Sequence, residues 1–219
     1  MLTWSILLLG KPDFELIIDG LKMTLMISVL TAIVSLPLGI ILGIMRTSKI
    51  RILRWPATLY IELIRSLPLV LYMVMIFLTM SIGAENRGVF TLASFTAAYI
   101  AEIVRGGLNS VDKNQIRAAY SLGMKTHQVL LKIAIPQALT RMIPALVNQF
   151  NVVIKDTSLV SIGLLELTKA GKILSERKAM FSMEIMLIIA AIYFVVCYGL
   201  SIFGHYLENK FSERYKRTV

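Results

Sequence analysis

Long uncharged runs alternate with short polar, mostly basic stretches, and this alternation sets the whole reading. A bilayer core takes about 20 apolar residues in helical form. Met23 to Met45 carries no charge and supplies a first span, with Pro37 as a possible kink and Gly39 and Gly43 forming a small-xxx-small face for close helix approach. A second span is expected from Trp55 to Ala84, with Glu62 and Arg65 near its start, spaced to face each other, and Pro68 after them. Gly88 to Leu108 gives a third, closing on Glu102 and Arg105 in the same i, i+3 arrangement. A fourth, Arg141 to Leu167, is interrupted by Lys155 and Asp156, and a fifth, Ile185 to Leu207, holds only His205 near its end. The pattern predicts an all-α polytopic membrane protein of about five transmembrane helices. No repeat and no low-complexity linker divides the chain, so a single domain, residues 1–219, is expected.

Composition agrees. Of 219 residues, 57% are hydrophobic and 16% charged, and the mean hydropathy is +0.74, beyond the range of water-soluble domains. The formal charge of +10 sits in the connections between apolar runs, which argues for anionic headgroups and against a nucleic-acid groove. Arg46, Lys49, Arg51 and Arg54 follow the first span, Lys113, Arg117, Lys125, Lys132 and Arg141 the third, and Lys210, Arg214, Lys216 and Arg217 the fifth. All three stretches fall on one side of a five-span chain, so that side is read as cytoplasmic, with the amino terminus outside and the carboxyl terminus inside. Lys169, Lys172, Arg177 and Lys178 fall on the other side, but the balance is thirteen basic residues inside against seven outside. The opening MLTWSILLLG lacks the basic start and small-residue cleavage pattern of a secretory signal and reads as an interfacial segment with Trp4 at headgroup level. A lone Cys197 allows no internal disulfide, and His127 and His205 have no ligand-spaced companions for a metal.

The segment IRAAYSLGMKTHQVLLKIAIP, residues 116–136, has helical rhythm but is too polar to span. Asp112 is expected to cap a short helix from Lys113, with Ile116, Ala119, Tyr120 and Gly123 on one face and Lys113, Arg117 and Ser121 on the other. Gly123 should end that helix, and Thr126 should cap a second one that stops before Pro136. By physics alone this is either a linker lying on headgroups or a docking element.

In AAYSLG followed by IAIPQAL, residues Ala118, Ala119, Gly123, Ile133, Ile135 and Pro136 resemble the EAA loop of bacterial ABC importer permeases. YIELIRSLPLVL, AAYIAEIVRGGL and PALVNQFNVVIKDTSLVSI are similar to further segments of the polar amino acid uptake permeases of the histidine/glutamine/arginine type. The likeness runs from about Leu16 to Glu208. It implies that the loop forms coupling helices seated in a groove of a separate cytoplasmic ATPase dimer, which binds ATP and Mg, so this chain needs no cofactor and is not itself an enzyme. It also implies a second permease chain, identical or paralogous, and an extracytoplasmic solute-binding protein, for which Lys169 to Lys178 is a candidate contact. No phosphate-binding G-x-x-x-x-G-K-[ST] loop occurs. In two places the chain departs from the family pattern: Arg117 stands where the motif has glutamate, reversing the sign of that contact, and Ser66 and Leu67 replace a Gly-Thr pair before Pro68.

Candidate substrate residues come from polarity inside a span, which is expensive unless paired or lining a path. Gln149 and Asp156 are spaced i, i+7 on one helix face, with Asn148, Asn151, Lys155, Thr157 and Ser158 nearby. Either Lys155 neutralises Asp156 in a structural network, or Asp156 accepts a substrate ammonium group while Gln149 donates and accepts through its amide. Glutamine at that position favours a neutral or weakly charged substrate over a strongly cationic one. The rival class is an ion-coupled secondary transporter or channel using the same patch.

Overall fold

The structure, a computed structural model, describes residues 10–216; the interfacial reading of the opening segment lies outside them. Among the described residues there are helices and no strands. In chain order they are α1 Lys11–Thr47, α2 Arg51–Ser66, α3 Leu69–Thr79, α4 Ala84–Asn109, α5 Lys113–Ser121, α6 Thr126–Val129, a π turn Leu130–Ala134, α7 Ile135–Asp156, a 3-10 segment Thr157–Ile162, α8 Leu167–Arg177, a second 3-10 segment Ala179–Phe181 and α9 Ser182–Lys216. By length and composition Lys11–Thr47, Ala84–Asn109, Thr126–Ser161 and Ala179–Lys210 can each cross a membrane. The expected second span is broken instead: α2 ends at Ser66 and α3 begins at Leu69, with Pro68 in an extended conformation as the cap of α3. Proline disfavours helix in the residue before it, and here the chain breaks at that point, whereas Pro37 is carried inside α1.

The helices outlast the uncharged runs that announced them, because backbone hydrogen bonding does not stop where charge begins. α1 starts twelve residues before Met23, and its added turns carry a Lys22–Asp19 pair at 2.9 Å and an Asp13–Lys178 pair at 2.6 Å.

α1 is inside-out by the standards of a water-soluble helix. Thr24, Ser28, Thr31, Ser35, Gly39 and Gly43 are buried at spacings of three and four, while Leu25, Val29, Ile33, Ile41 and Ile44 are exposed. Lipid is as apolar as leucine, so the gain comes from close approach of small residues, with larger aliphatic side chains left to the acyl chains.

The chain condenses into two compact units. One comprises the described residues up to Val34, Leu67–Phe95 and Phe150–Gly199; the other comprises Ser35–Ser66, Thr96–Gln149 and the residues from Leu200. In the first, Ile17, Leu167, Leu174, Ile185 and Ile189 form one apolar cluster, and Ile27, Met73, Leu92, Val160 and Leu164 a second. The Arg87 guanidinium lies 5.0 Å over the Phe77 ring and donates to the Phe77 carbonyl at 2.9 Å.

In the second unit, α1 meets α4 through the two expected glycines: a Cβ on Gly39 would stand 2.5 Å from Ile100, and one on Gly43 2.7 Å from Val104. The charges beside them pair differently from the spacing rule. Glu102 and Arg105 do pair within α4, at 2.9 Å. Glu62 instead meets Arg46 at 2.5 Å, and Arg65 meets Glu102 at 3.4 Å, so the expected Glu62–Arg65 contact gives way to bonds between helices. A membrane-embedded carboxylate gains more from a facing guanidinium on a packed neighbour than from a partner on its own exposed flank.

Candidate functional site

Two places carry the polar chemistry. The first is the loop between α4 and α7, inside the second unit. Asp112 caps α5 by accepting from the Asn114 N–H at 2.8 Å. At the other end, the Gly123 N–H donates to the Tyr120 carbonyl (3.0 Å) and the Met124 N–H to the Ala119 carbonyl (3.1 Å). That is a Schellman closure, which needs a left-handed residue, and Gly123 supplies φ +77°. α6 opens with Thr126 as its first residue, and not as its cap: the cap position is Lys125, whose N–H donates to the Gln128 side chain at 2.9 Å. Nor does this helix stop before Pro136. It widens into the π turn and runs on into α7, since a π turn moves the carbonyl that a proline ring would otherwise strike and needs no N–H from the proline.

Of the two adjacent alanines, Ala119 is buried and Ala118 exposed. Ile116 is half-buried, but Tyr120 is exposed, so the inward face is narrower than the heptad reading gives. Arg117 and Gly123 are exposed, and Leu122 and Leu131 stand 83% and 63% exposed beside them. The loop is tied to the base of α7 by a Gln137–Gln115 hydrogen bond and by Arg141 donating to the Ser110 carbonyl. The result is a braced elbow with apolar side chains standing free on it.

The second place is the end of α7. Gln149 is half-buried and Asn148 exposed, and both belong to the second unit, where Asn148 lines a cleft with Pro144, Val147, Ser201, Gly204, His205 and Glu208. Asp156 and Ser158 are half-buried and belong to the first unit, as does the exposed Pro68. Thr157 is fully buried, and its hydroxyl donates to the Ile154 carbonyl at 2.7 Å. The ion pairs of the described residues do not include one between Lys155 and Asp156. Lys155 is exposed. Of the basic residues expected on the outer side, Lys172 and Arg177 are exposed, whereas Lys178 is committed to Asp13.

Sequence reasoning missed Glu166. It is fully buried at the start of α8, accepting from the N–H groups of Thr168 and Lys169, each at 2.7 Å, and from the Tyr193 hydroxyl at 3.0 Å. Burial pushes its carboxyl above the ordinary range, against the pull of those donors. A lone acid directly before a helix start, after an uncharged stretch, was the available signal.

Residues 35–213 match the sequence family described as binding-protein-dependent transport system inner membrane component. The chain belongs to this family. Among its relatives, the probable glutamine ABC transporter permease protein GlnP of Bacillus subtilis is 38% identical over 198 residues, covering 87% of this chain and 91% of that protein. The glutamate/aspartate import permease protein GltK of Escherichia coli O157:H7 is 31% identical, with 91% and 95% covered. A solved structure, that of an amino acid ABC transporter with histidines, superposes with a TM-score of 0.83 at 36% identity, covering 90% of this chain and 94% of that one. The MetNI methionine ABC transporter, at 18% identity and a TM-score of 0.74 over 93% and 99% of the two chains, shares the fold. The chain is therefore a transmembrane permease subunit of the ABC importer class, embedded in the inner membrane. Its family works with a separate ATPase and a binding protein, so ATP hydrolysis is not the work of this subunit. That removes the secondary-transporter reading.

Proposed function

We propose that this permease carries a polar amino acid inward, and that Asp156 receives the substrate's ammonium group. The observation that carries the reading is a half-buried carboxylate at the end of a membrane helix with no ion-pair partner among the described residues. Such a charge is costly unless a cation visits it. Ser158 and Pro68 are proposed pathway residues in the first unit with it, and Gln149 and Asn148 are proposed pathway residues of the second unit. Relatives named for glutamine, glutamate/aspartate, arginine and cystine support the substrate class.

The elbow of α5 and α6 is the proposed seat on the ATPase, with Arg117, Ala118 and Gly123 at the contact and Ala119 holding the helix to its own unit. One elbow per chain fits one seat, so a second permease chain completes the path, with ATP and Mg held by the ATPase dimer. The elbow is then cytoplasmic, with the amino terminus outside and the carboxyl terminus inside. Residues 1–219 act as one permease domain, and the exposed Lys172 and Arg177 of α8 meet the binding protein.

The test is uptake into vesicles containing the permease and its ATPase, with binding protein outside and ATP inside, of labelled L-glutamine, L-histidine, L-arginine, L-glutamate and L-cystine. ATP-dependent accumulation of at least one, lost in Asp156→Asn, is expected. Accumulation without ATP, or full activity in Asp156→Asn, overturns the reading.

A further inference from the structure

α2 begins where α1 leaves the bilayer. Three residues separate Thr47, the end of a span-length helix, from Arg51. The turn is closed locally: the Ile50 N–H donates to the Ser48 hydroxyl at 3.2 Å, and the Ile50 carbonyl accepts from the Arg54 N–H at 3.0 Å. α2 has 16 residues, fewer than the roughly 20 that cross a bilayer core. Its side chains sort into three faces at helical spacing. Ala57, Ile61 and Ile64 are buried inside the second unit. Ile52, Trp55, Leu59 and Leu63, at i, i+3, i+7 and i+11, form an exposed apolar stripe, with Ile52 84% and Trp55 71% exposed. Arg51, Arg54, Thr58, Glu62 and Arg65 make up the third, polar face beside it.

That polar face is divided. Its carboxyl half is committed, Glu62 to Arg46 and Arg65 to Glu102. In its amino half, Arg51 and Arg54, with Lys49 just before them, are exposed and enter none of the ion pairs of the described residues. No acidic residue occurs from Met23 through Ile61, so nothing nearby in the chain answers these three cations. A helix end that met only water would carry polar residues opposite its buried face. Ile52 and Trp55 stand there instead and call for an apolar medium, and the cations beside them call for an anionic one. The boundary between acyl chains and phosphate headgroups supplies both. We propose that the first turns of α2 form a binding surface for anionic phospholipid, with Lys49, Arg51 and Arg54 at the headgroups and Ile52, Trp55 and Leu59 at the acyl boundary. The surface lies outside the proposed pathway and the elbow, so it does not depend on the Asp156 reading.

The experiment reads the fluorescence of Trp55 in the complete complex of permease and ATPase, reconstituted in bilayers of equal parts phosphatidylglycerol and phosphatidylcholine. Bromine on the acyl chains of one lipid or the other serves as quencher. Trp4 and Trp55 are the two tryptophans of the chain, so the Trp55 signal is the difference between Trp4→Phe and Trp4→Phe/Trp55→Phe. Brominated phosphatidylglycerol is expected to quench it about fivefold more effectively than brominated phosphatidylcholine, the preference that about one surface basic residue confers. In Lys49→Gln/Arg51→Gln/Arg54→Gln the two lipids should quench equally. They should do so as well in about 1 M salt, where the Debye length is about 3 Å. Arg51→Lys/Arg54→Lys keeps the charge and should keep the preference. Equal quenching by both lipids with the native charges, a preference that survives the triple substitution or high salt, or its loss in the lysine pair overturns the proposal. Absence of quenching by either lipid also overturns it, since another protein surface, such as the ATPase, then covers the stripe. If the triple variant does not assemble, the salt series and the lysine pair decide.

Discussion

Arg46 Nη1, near the end of α1, stands 2.7 Å from Glu102 Oε1 on α4, and both side chains are largely buried. The same arginine reaches Glu62 on α2 at 2.5 Å, and the same glutamate pairs with Arg105 and Arg65. Glu102 is thus the common ion-pair partner of three guanidinium groups that belong to three helices.

Removing that acceptor's charge leaves two of the three arginines without a carboxylate. Glu102→Gln is expected to destabilise the permease by about 2 kcal/mol, below the usual cost of breaking a fully buried pair because Arg65 and Arg105 are partly solvated. Thermal unfolding of the purified complex checks this, and a change of under about 0.5 kcal/mol, the range of an ordinary surface substitution, would assign the cluster to surface charge.

At the α1–α4 crossing, shape decides in place of charge. A methyl at Gly39 would press on Ile100 at 2.5 Å and on the Ala97 carbonyl oxygen at 3.0 Å, neither of which can swing aside without moving the backbone or a branched side chain. Gly39→Ala should cost about 1 to 3 kcal/mol. Gly199, on α9, has nothing within 4 Å of its would-be Cβ, so Gly199→Ala should be neutral or gain up to about 1 kcal/mol from helix propensity. Equal melting temperatures for the two variants would remove the close-approach argument.

Why some of this was legible and some was not follows from the range of the interactions. Uncharged runs betray the spans because the bilayer acts on each segment separately, and the Asp112 cap and the Gly123 corner are local bonds that neighbouring residues specify. Pro68 was visible as a residue but the break between α2 and α3 was not, since the apolar run from Trp55 to Ala84 reads as continuous. The i, i+3 rule paired Glu62 with Arg65 because it sees only one helix, and the real partners lie on others. Glu166 and Tyr193 stood 27 positions apart, and nothing in either neighbourhood points to the other.

The elbow offers a test that separates its conformation from its charge. Gly123→Ala forces a Cβ into a left-handed backbone at about 1 to 2 kcal/mol, and Gly123→Asn, which tolerates that region, should cost less. Both act on the elbow's shape, so recovery of the ATPase with tagged permease should fall in the order alanine below asparagine below wild type. Arg117 is exposed, and Arg117→Glu should lower ATPase recovery with the melting temperature of the permease unchanged. Undiminished recovery in Arg117→Glu would place the ATPase contact elsewhere.

Glu166 makes the stability of the protein depend on pH. Its folded carboxyl titrates above the ordinary value of 4.5, chiefly because it is buried. Between the unfolded and folded values the folded state therefore holds a proton that the unfolded state has released, so stability falls as pH rises. The contribution is fully present below the unfolded value and lost as pH passes through the raised folded one. Above that, the carboxylate is buried and charged, held by two backbone N–H groups and the Tyr193 hydroxyl. Glu166→Gln cannot titrate, and its amide can accept from the two backbone groups only through one oxygen. The difference in melting temperature between wild type and Glu166→Gln, followed upward from pH 4.5, should therefore shift steadily toward the variant and then level. A difference that does not change with pH would mean that Glu166 keeps one protonation state across the window, and that the bonds from Thr168, Lys169 and Tyr193 outweigh the cost of its burial.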